Sequence, residues 1–120
     1  MKYPKFSTTP TTTHRPRLNA SSFRKIPVGG CVTVRNGYAA EYETGFQVCV
    51  MVYPFATVEE VSRFLHTVGR KGQYNVRRSQ TLWFVDECRQ VPTKKAAMAL
   101  ARSYNRQTIY NWAKGEIVRC

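Results

Sequence analysis

The sequence predicts an α+β fold in which an antiparallel sheet, built from β-hairpins, carries two helices on one face. Three observations support this prediction. Short runs of β-branched and aromatic residues alternate with turn signals, two other segments have apolar residues at helical spacing, and each helical segment lies between hairpins. Hairpins separated by helices are typical of α+β architectures. The predicted order is β-β-β-α-β-β-α-β-β, preceded by an extended basic arm.

The chain divides into an arm and a folded part. We predict an extended basic arm over residues 1–25 and a single α+β domain over residues 26–120, because a chain of 120 residues suits one compact domain. Within the domain, the predicted helices cover 58–68 and 94–104. The predicted strands are 31–35, 38–42, 46–53, 74–78, 81–87, 108–112 and 116–118.

The first hairpin depends on Asn36-Gly37, which lies between two runs of strand-forming residues. This dipeptide favours the positive backbone angles of a type I′ turn. The next strand, 46–53, is apolar on both faces and ends at Pro54. Such a pattern predicts a central strand that is covered on both sides.

Both predicted helices have recognisable ends. Thr57 and Glu60 form a capping box at the start of the first helix, and Gly69 is a suitable stop. Thr93 caps the second helix, whose apolar stripe is rich in alanine and therefore predicts close packing on a sheet. Asn105 is suited to the left-handed conformation that ends a helix.

Positive charge is concentrated in the N-terminal quarter of the chain. The whole sequence has 19 basic and 7 acidic residues, a formal net charge of +12. Residues 1–30 hold six of the basic residues and no acidic one, which is half of the net charge. The same segment has four of the six prolines and a run of threonines interrupted by Pro10. This composition disfavours a helix and predicts an extended arm.

Basic residues mixed with aromatic ones are typical of surfaces that bind nucleic acids, because phosphates attract cations and unpaired bases stack on flat rings. Lys94 and Lys95 also stand at a helix N-terminus, where they oppose the helix dipole, and a phosphate partner would explain them. We therefore predict a non-enzymatic protein that binds nucleic acid or a nucleoprotein complex through its N-terminal arm and a basic and aromatic surface. The residues predicted to bind are Lys2, Lys5, Arg15, Arg17, Arg24, Lys25, Arg70, Lys71, Tyr74, Arg77, Arg78, Lys94, Lys95, Arg102 and Arg106.

Catalytic and metal-binding residues are not expected. The four cysteines have no C-x-x-C spacing, which predicts free thiols, no metal site and no cofactor. The remote alternative is a metal-free ribonuclease that uses His66 with Arg77 or Arg78. The helix–hairpin–helix outline of 58–104 is similar to that of HicA-type toxin ribonucleases. However, residues 79–80 lack the histidine that this family has at the corresponding place.

The sequence contains no apolar run of the length that a membrane-spanning helix needs. Lys2 and Lys5 are not followed by the apolar stretch of a secretory signal. We therefore expect no membrane partner and a cytoplasmic location.

The stretch 97–116, an alanine-rich helix followed by a hairpin, resembles the C-terminal ends of small phage and mobile-element proteins. The resemblance implies a viral or plasmid accessory protein that acts in the cytoplasm of a bacterial host. It leaves two alternatives to nucleic-acid binding. One is an anti-defence protein that binds a host protein complex, and the other is a virion component whose arm contacts neighbouring copies of the chain.

Overall fold

The structure, a computed structural model, describes residues 12–13, 17–67 and 72–120 and has the predicted α+β fold. All strand pairs are antiparallel, and from the second strand onward the order of strands and helices is the predicted one. The elements are β1 (Thr12–Thr13), α1 (Ala20–Phe23), β2 (Cys31–Arg35), β3 (Tyr38–Glu41), β4 (Phe46–Phe55), α2 (Val58–Thr67), β5 (Gln73–Arg78), β6 (Trp83–Val91), α3 (Lys94–Ser103), β7 (Thr108–Asn111) and β8 (Glu116–Arg119).

The sheet has the strand order β1-β3-β2-β5-β6-β4-β7-β8, and α2 and α3 pack on the same face of it. Val85 of β6 lies opposite both Val76 of β5 and Tyr53 of β4, so these three side chains point to one face, where they pack beneath α2. A second apolar cluster, which includes Val48 and Ala97, lies beneath α3. We call this side the helix-covered face and the opposite side the helix-free face.

The folded part begins earlier than the predicted boundary at residue 26. Residues 20–23 form α1, which Asn19 and Ser22 cap reciprocally, and Phe23 is buried at 2% exposure in the cluster beneath α2. The proline and threonine content that predicts an extended arm ends before this segment, and a polar cap followed by an aromatic residue favours a helical turn. Residues 17–25 therefore pack against the domain.

The predicted turns and caps are present. Asn36 and Gly37 have φ angles of 53° and 91°, as a type I′ turn requires, and Asn105 ends α3 at a φ of 58°. The Thr57 hydroxyl accepts a hydrogen bond from the backbone of Glu60 at 3.2 Å, and the Glu60 carboxylate accepts one from the backbone of Thr57 at 3.2 Å. The predicted stop of this helix at residue 69 lies outside the described residues.

β4 is longer than predicted. It continues through Pro54 to Phe55, although the sequence predicts that Pro54 ends it. Pro54 lies opposite Phe84 of β6, whereas the other side of β4 pairs with β7 only at Phe46 and Gln47. A strand position with one neighbour instead of two is where a sheet tolerates proline, because no second ladder needs its N–H.

A β-bulge divides β4 into two parts. The register of β4 against β6 shifts between Cys49 and Met51, which leaves one extra residue in β4. On one side of the shift Val48 packs beneath α3, and on the other side Tyr53 and Phe55 pack beneath α2. Only the helix-covered face of β4 is buried by helices. The prediction that β4 is covered on both faces is therefore wrong for its helix-free face, where Cys49 is half-buried and lines a cavity.

A segment that crosses the helix-free face closes this cavity. β3 pairs with β2 only at its first two residues, Tyr38 and Ala39. Further along, the Tyr42 hydroxyl donates to Gln73 Oε1 of β5 at 2.6 Å, and the Tyr42 ring lies 5.2 Å from the ring of Trp112 after β7. Because β3 and β7 are far apart in the sheet, residues 39–42 must pass over its helix-free face. We call them the crossing segment.

Candidate ligand-binding cavity and basic surface

The helix-free face holds a cavity of about 680 Å³ between the sheet and the crossing segment. Side chains of β2, β4, β5 and β6 form its floor, and Ala39 and Ala40 of the crossing segment form one wall. The opposite wall consists of Tyr110, Trp112 and Ile117 from β7, the turn after it and β8. The volume lies within the range of about 300–1,000 Å³ that is usual for small-molecule sites.

A buried ion pair stands in the middle of the floor. Arg77 donates from Nε to Asp86 Oδ2 at 2.6 Å and from Nη2 to Oδ1 at 2.8 Å. Asn75 Nδ2 adds a third hydrogen bond to Oδ2 at 3.3 Å. Asp86 is only 6% exposed, whereas the side chain of Arg77 is 43% exposed. The hydrogen bond to Asp86 raises the pKa of Arg77, and the two parallel hydrogen bonds hold the guanidinium in a fixed bidentate geometry.

Two thiols lie beside this ion pair. Cys49 of β4 is directly opposite Cys88 of β6, and both line the cavity. Burial and the negative charge of Asp86 raise the pKa of Cys49, while the positive charges of Arg106 and Arg77 oppose that rise. Burial raises the pKa of Cys88 well above its usual value. Both are therefore neutral thiols at pH 7, and neither is activated as a nucleophile.

A network of amides and hydroxyls fixes the neighbouring part of the floor. Arg35 Nη1 donates to the Tyr42 hydroxyl at 2.9 Å, and this hydroxyl donates to Gln73 Oε1 at 2.6 Å. Gln73 Nε2 in turn donates to Gln47 Oε1 at 2.6 Å. Because the network joins β2, the crossing segment, β5 and β4, it holds the crossing segment at a set height above the sheet.

Two buried nitrogen atoms, Nε1 of Trp112 and Nε of Arg106, have no hydrogen-bond partner within the part of the chain that the structure describes. Trp112 lines the cavity, where its ring lies 5.0 Å from the ring of Tyr110 in an edge-to-face arrangement. Buried donors without partners are rare and costly in folded proteins, at about 1–3 kcal/mol each. Each therefore calls for an explanation.

Of the basic residues predicted to bind near the N-terminus, the structure describes Arg17, Arg24 and Lys25. Arg17 Nη2 donates to the backbone oxygen of Asn36 at 3.0 Å, and Arg24 forms an ion pair with Glu59 of α2, so both brace the N-terminal segment. Lys25 is exposed. The predicted binding residues that lie outside the described residues are Lys2, Lys5, Arg15, Arg70 and Lys71.

The structure separates the predicted cluster around Tyr74. Tyr74 is 8% exposed in the core of the helix-covered face, where its ring packs edge-on against Phe64, so it offers almost no surface to a base. Arg78 Nη1 donates to the backbone oxygen of Ile26 at 2.9 Å, and its guanidinium lies 5.0 Å from the ring centre of Trp83. Of the two arginines of this cluster that the structure describes, Arg77 reaches the helix-free face and lines the cavity, and Arg78 does not.

The basic residues predicted on α3 remain accessible. Lys94, Lys95 and Arg102 are exposed, whereas Ala97 and Ala101 on the opposite side of the helix are fully buried. Lys95 and Arg102 are seven residues apart, which is almost two turns, so they share the outward side of α3. Arg106 follows the helix and is half-buried, with its charge acting on Cys49 at the cavity.

The C-terminal segment 92–120 has a clear excess of basic over acidic residues. It contains six basic residues and one acidic residue, whereas residues 31–91 contain seven basic and six acidic ones. None of those six basic residues forms an ion pair with an acidic residue that the structure describes. The observed ion pairs lie elsewhere, between Arg24 and Glu59, Arg77 and Asp86, and Arg89 and Glu87.

The residues of the ribonuclease alternative do not converge. His66 is exposed on α2, which packs on the helix-covered face, whereas Arg77 lines the cavity on the other face. Arg78 is occupied with backbone oxygens of the N-terminal segment. Among the described residues, no group of three or more histidine, cysteine or acidic side chains is placed to hold a metal ion. Within the same residues, no helix combines the length and apolar character that crossing a membrane requires.

Sequence reasoning missed most of the cavity. Neither Asp86 nor Trp112 is among the residues that the sequence predicts to bind. The signal was present in the alternation of β5 and β6, where every second residue except Phe84 is polar or a thiol: Gln73, Asn75, Arg77, Asp86, Cys88 and Gln90. Polar residues at a period of two mark one face of a strand that faces something other than an apolar core.

Comparison with protein-family models, with curated proteins and with solved structures finds no match to this chain.

Proposed function

We propose that this protein binds nucleic acid and is a binding protein rather than an enzyme, with α3 and the β7–β8 hairpin as the described part of its contact surface. The observation that carries the proposal is the concentration, in segment 92–120, of basic residues that form no ion pair with any acidic residue the structure describes. A solvated surface that serves solubility alone mixes both signs of charge, as residues 31–91 do. A surface of one sign instead attracts a partner of the other sign.

The arrangement on α3 favours a phosphate backbone as that partner. Lys94 and Lys95 stand in the first turn of the helix, where positive charge is unfavourable next to the helix dipole. A row of phosphates along α3 would offset this cost and would also reach Arg102 on the same outward side. The predicted arm adds Lys2, Lys5 and Arg15, with no acidic residue before residue 41, as a second basic segment that can follow a nucleic-acid groove.

The test measures the affinity of the full chain for short fluorescent single-stranded and double-stranded DNA and RNA at about 50 mM and about 200 mM salt. We expect binding at the lower salt concentration and a steep loss at the higher one, because binding to phosphates releases counterions. The charge reversal Arg102→Glu should lower the affinity at low salt by about tenfold and reduce the salt dependence by about one released ion.

Arg63→Glu is the matched control, because Arg63 is also an exposed arginine on a helix but lies on α2, outside the basic segment. We expect it to change the affinity much less than Arg102→Glu does. Equal effects of the two reversals would mean that net charge alone drives binding and would contradict the assigned surface. Absence of binding at low salt would overturn the proposal and leave an acidic protein partner, in a host complex or a neighbouring copy, as the function to test.

A further inference from the structure

We propose that the cavity on the helix-free face receives a single nucleobase, held between its aromatic wall and its polar floor. This inference rests on the proposed function, because the base belongs to the nucleic acid that the protein is proposed to bind. It adds a site for a base to the proposed contacts with phosphates. The site is distinct from α3, because it lies on the opposite side of the sheet.

The wall of the cavity suits a flat ring. Trp112 is the centre of three aromatic side chains, with the Tyr42 ring 5.2 Å and the Tyr110 ring 5.0 Å from its own. Tyr110 and Trp112 line the cavity directly, and Ile117 extends the same wall. Stacking of a base on such rings contributes about 1–3 kcal/mol per base and does not depend strongly on which base is bound.

The floor requires a ligand that has hydrogen-bond acceptors. Arg77 uses Nε and Nη2 on Asp86, so Nη1 remains as a donor for which the described residues provide no partner. A purely apolar ligand would cover this donor without pairing it, which costs free energy. The ring nitrogens and carbonyl oxygens at the edges of nucleobases are acceptors in the plane of a flat molecule.

The charge balance of the cavity excludes a phosphate from its floor. The positive charge of Arg77 is already compensated by the bidentate contact with Asp86, so a phosphate there would meet the carboxylate at close range. Positive charge is available farther out. Arg119 shares the face of β8 on which Ile117 lines the cavity, because residues two apart in a strand face the same way. The base would therefore enter while its phosphates stay near the mouth.

The experiment uses Cys49 as a reporter, because this half-buried thiol lines the cavity. In the variant Cys31→Ser/Cys120→Ser, the rate at which N-ethylmaleimide alkylates Cys49 is measured by mass spectrometry. The four ribonucleoside 5′-monophosphates are added in turn, and ribose 5-phosphate serves as the ligand control without a base. We expect at least one nucleotide at about ten times its Kd to slow alkylation by about tenfold, because only the free protein reacts. Ribose 5-phosphate should have no effect.

Two double variants test whether the floor is responsible. Arg77→Met/Asp86→Leu replaces the ion pair of the cavity by apolar residues of similar size, an exchange that folded proteins often tolerate. Arg24→Met/Glu59→Leu makes the same exchange at an ion pair on the other face. We expect the first double variant to lose the protection of Cys49 by nucleotides and the second to keep it, while circular dichroism shows that both are folded.

The outcomes separate this inference from the proposed function. If ribose 5-phosphate protects Cys49 as well as a nucleotide does, or if no nucleotide protects it while oligonucleotides still bind, the cavity is not a base site and the proposed function stands. If nucleotides protect Cys49 and oligonucleotides do not bind, the base site stands and the proposed function is wrong. Retained protection in Arg77→Met/Asp86→Leu would overturn the role of the floor.

Discussion

On the helix-covered face of the sheet, Val61 of α2 packs on Val76 and Val85 without any exposure to solvent, whereas the same two strands bury Asp86 with Arg77 on the other face. The side chains of β5 and β6 alternate between these two environments at every residue. One set of strands therefore carries a dry apolar core and a polar cavity at the same time. Consecutive residues of β5 and β6 belong to the same strands and have the same neighbouring strands, yet one is apolar and the next is polar. The position of a strand in the sheet therefore does not explain the difference between the two faces.

Folding alone explains only the helix-covered face. Burial of apolar area stabilises a protein by about 25 cal/mol per Å², so that face contributes most of the stability. A buried ion pair is commonly no more stable than apolar residues of the same size, because its desolvation offsets the attraction between the charges. The composition of the helix-free face thus requires another reason, and a bound ligand is the reason that we propose.

The largest expected effect lies on the helix-covered face, at a residue of the segment that the sequence predicts as an extended arm. Phe23→Ala should lower the free energy of unfolding by about 3–5 kcal/mol, because it removes a buried aromatic side chain from the cluster beneath α2. Urea unfolding followed by circular dichroism measures the change. Val28→Ala is the control, since Val28 is 55% exposed and its truncation should change the stability by less than about 0.5 kcal/mol. Equal effects would mean that α1 is not part of the core.

An intermediate effect is expected from the ion pair on the helix-free face. Asp86→Ala should cost about 2 kcal/mol, less than the 3–5 kcal/mol or so of a fully buried pair, because the partly exposed Arg77 can be hydrated once its partner is gone. The double variant Arg77→Met/Asp86→Leu should regain most of that loss. If it is as unstable as Asp86→Ala in urea unfolding, the pair is a structural requirement, and the contrast between the faces is weaker than we describe.

The smallest expected effect is a dependence of stability on pH that originates on the helix-free face. Burial raises the pKa values of Cys49 and Cys88 in the folded protein, whereas in the unfolded chain thiols ionise near the usual pKa of about 8.5. Below this pH both thiols are protonated in the folded and in the unfolded state, so their contribution to the free energy of unfolding is fully present. Above it the unfolded state loses protons first, so the free energy of unfolding should fall as pH rises from about 8 to about 10.

Urea unfolding in the presence of a reductant, at several pH values in this window, measures that fall. The double variant Cys49→Ala/Cys88→Ala should show a flatter profile, because it removes both thiols. Tyr74, whose pKa is also raised by burial, remains in the variant and accounts for a residual slope at the upper end of the window. An unchanged profile in the double variant would show that these thiols are not the titrating groups.

The fold could be read from the sequence because its signals are local. Asn36-Gly37 specifies a turn through backbone angles, and the capping box of Thr57 and Glu60 specifies a helix start through hydrogen bonds three residues apart. Neither requires knowledge of distant contacts. From β2 onward the order of strands and helices followed correctly from such signals, whereas the bounds of β6, the end of β4 and the start of the folded part were misplaced.

The cavity could not be read in the same way, because it depends on contacts between residues far apart in the chain. Trp112 forms the wall of the cavity together with the crossing segment, in which Tyr42 contacts its ring. These two residues are 70 positions apart in the sequence. The partnership of Arg77 and Asp86 requires the register of β5 against β6. Basic and aromatic residues predicted a binding surface from composition alone, and composition does not say that Tyr74 points into the core while Arg77 points away from it.

The bulge in β4 changes which residues of that strand point towards the helices, from even-numbered to odd-numbered positions. Before it, the even-numbered Val48 faces the helices, and after it, the odd-numbered Tyr53 and Phe55 do. Without the bulge, even-numbered side chains would face the helices along the whole strand. The rings of Tyr53 and Phe55 would then point to the helix-free side, into the region of Asp86. The extra residue at the bulge thus lets one strand pack beneath two helices on one side and keeps Tyr53 and Phe55 off the opposite side.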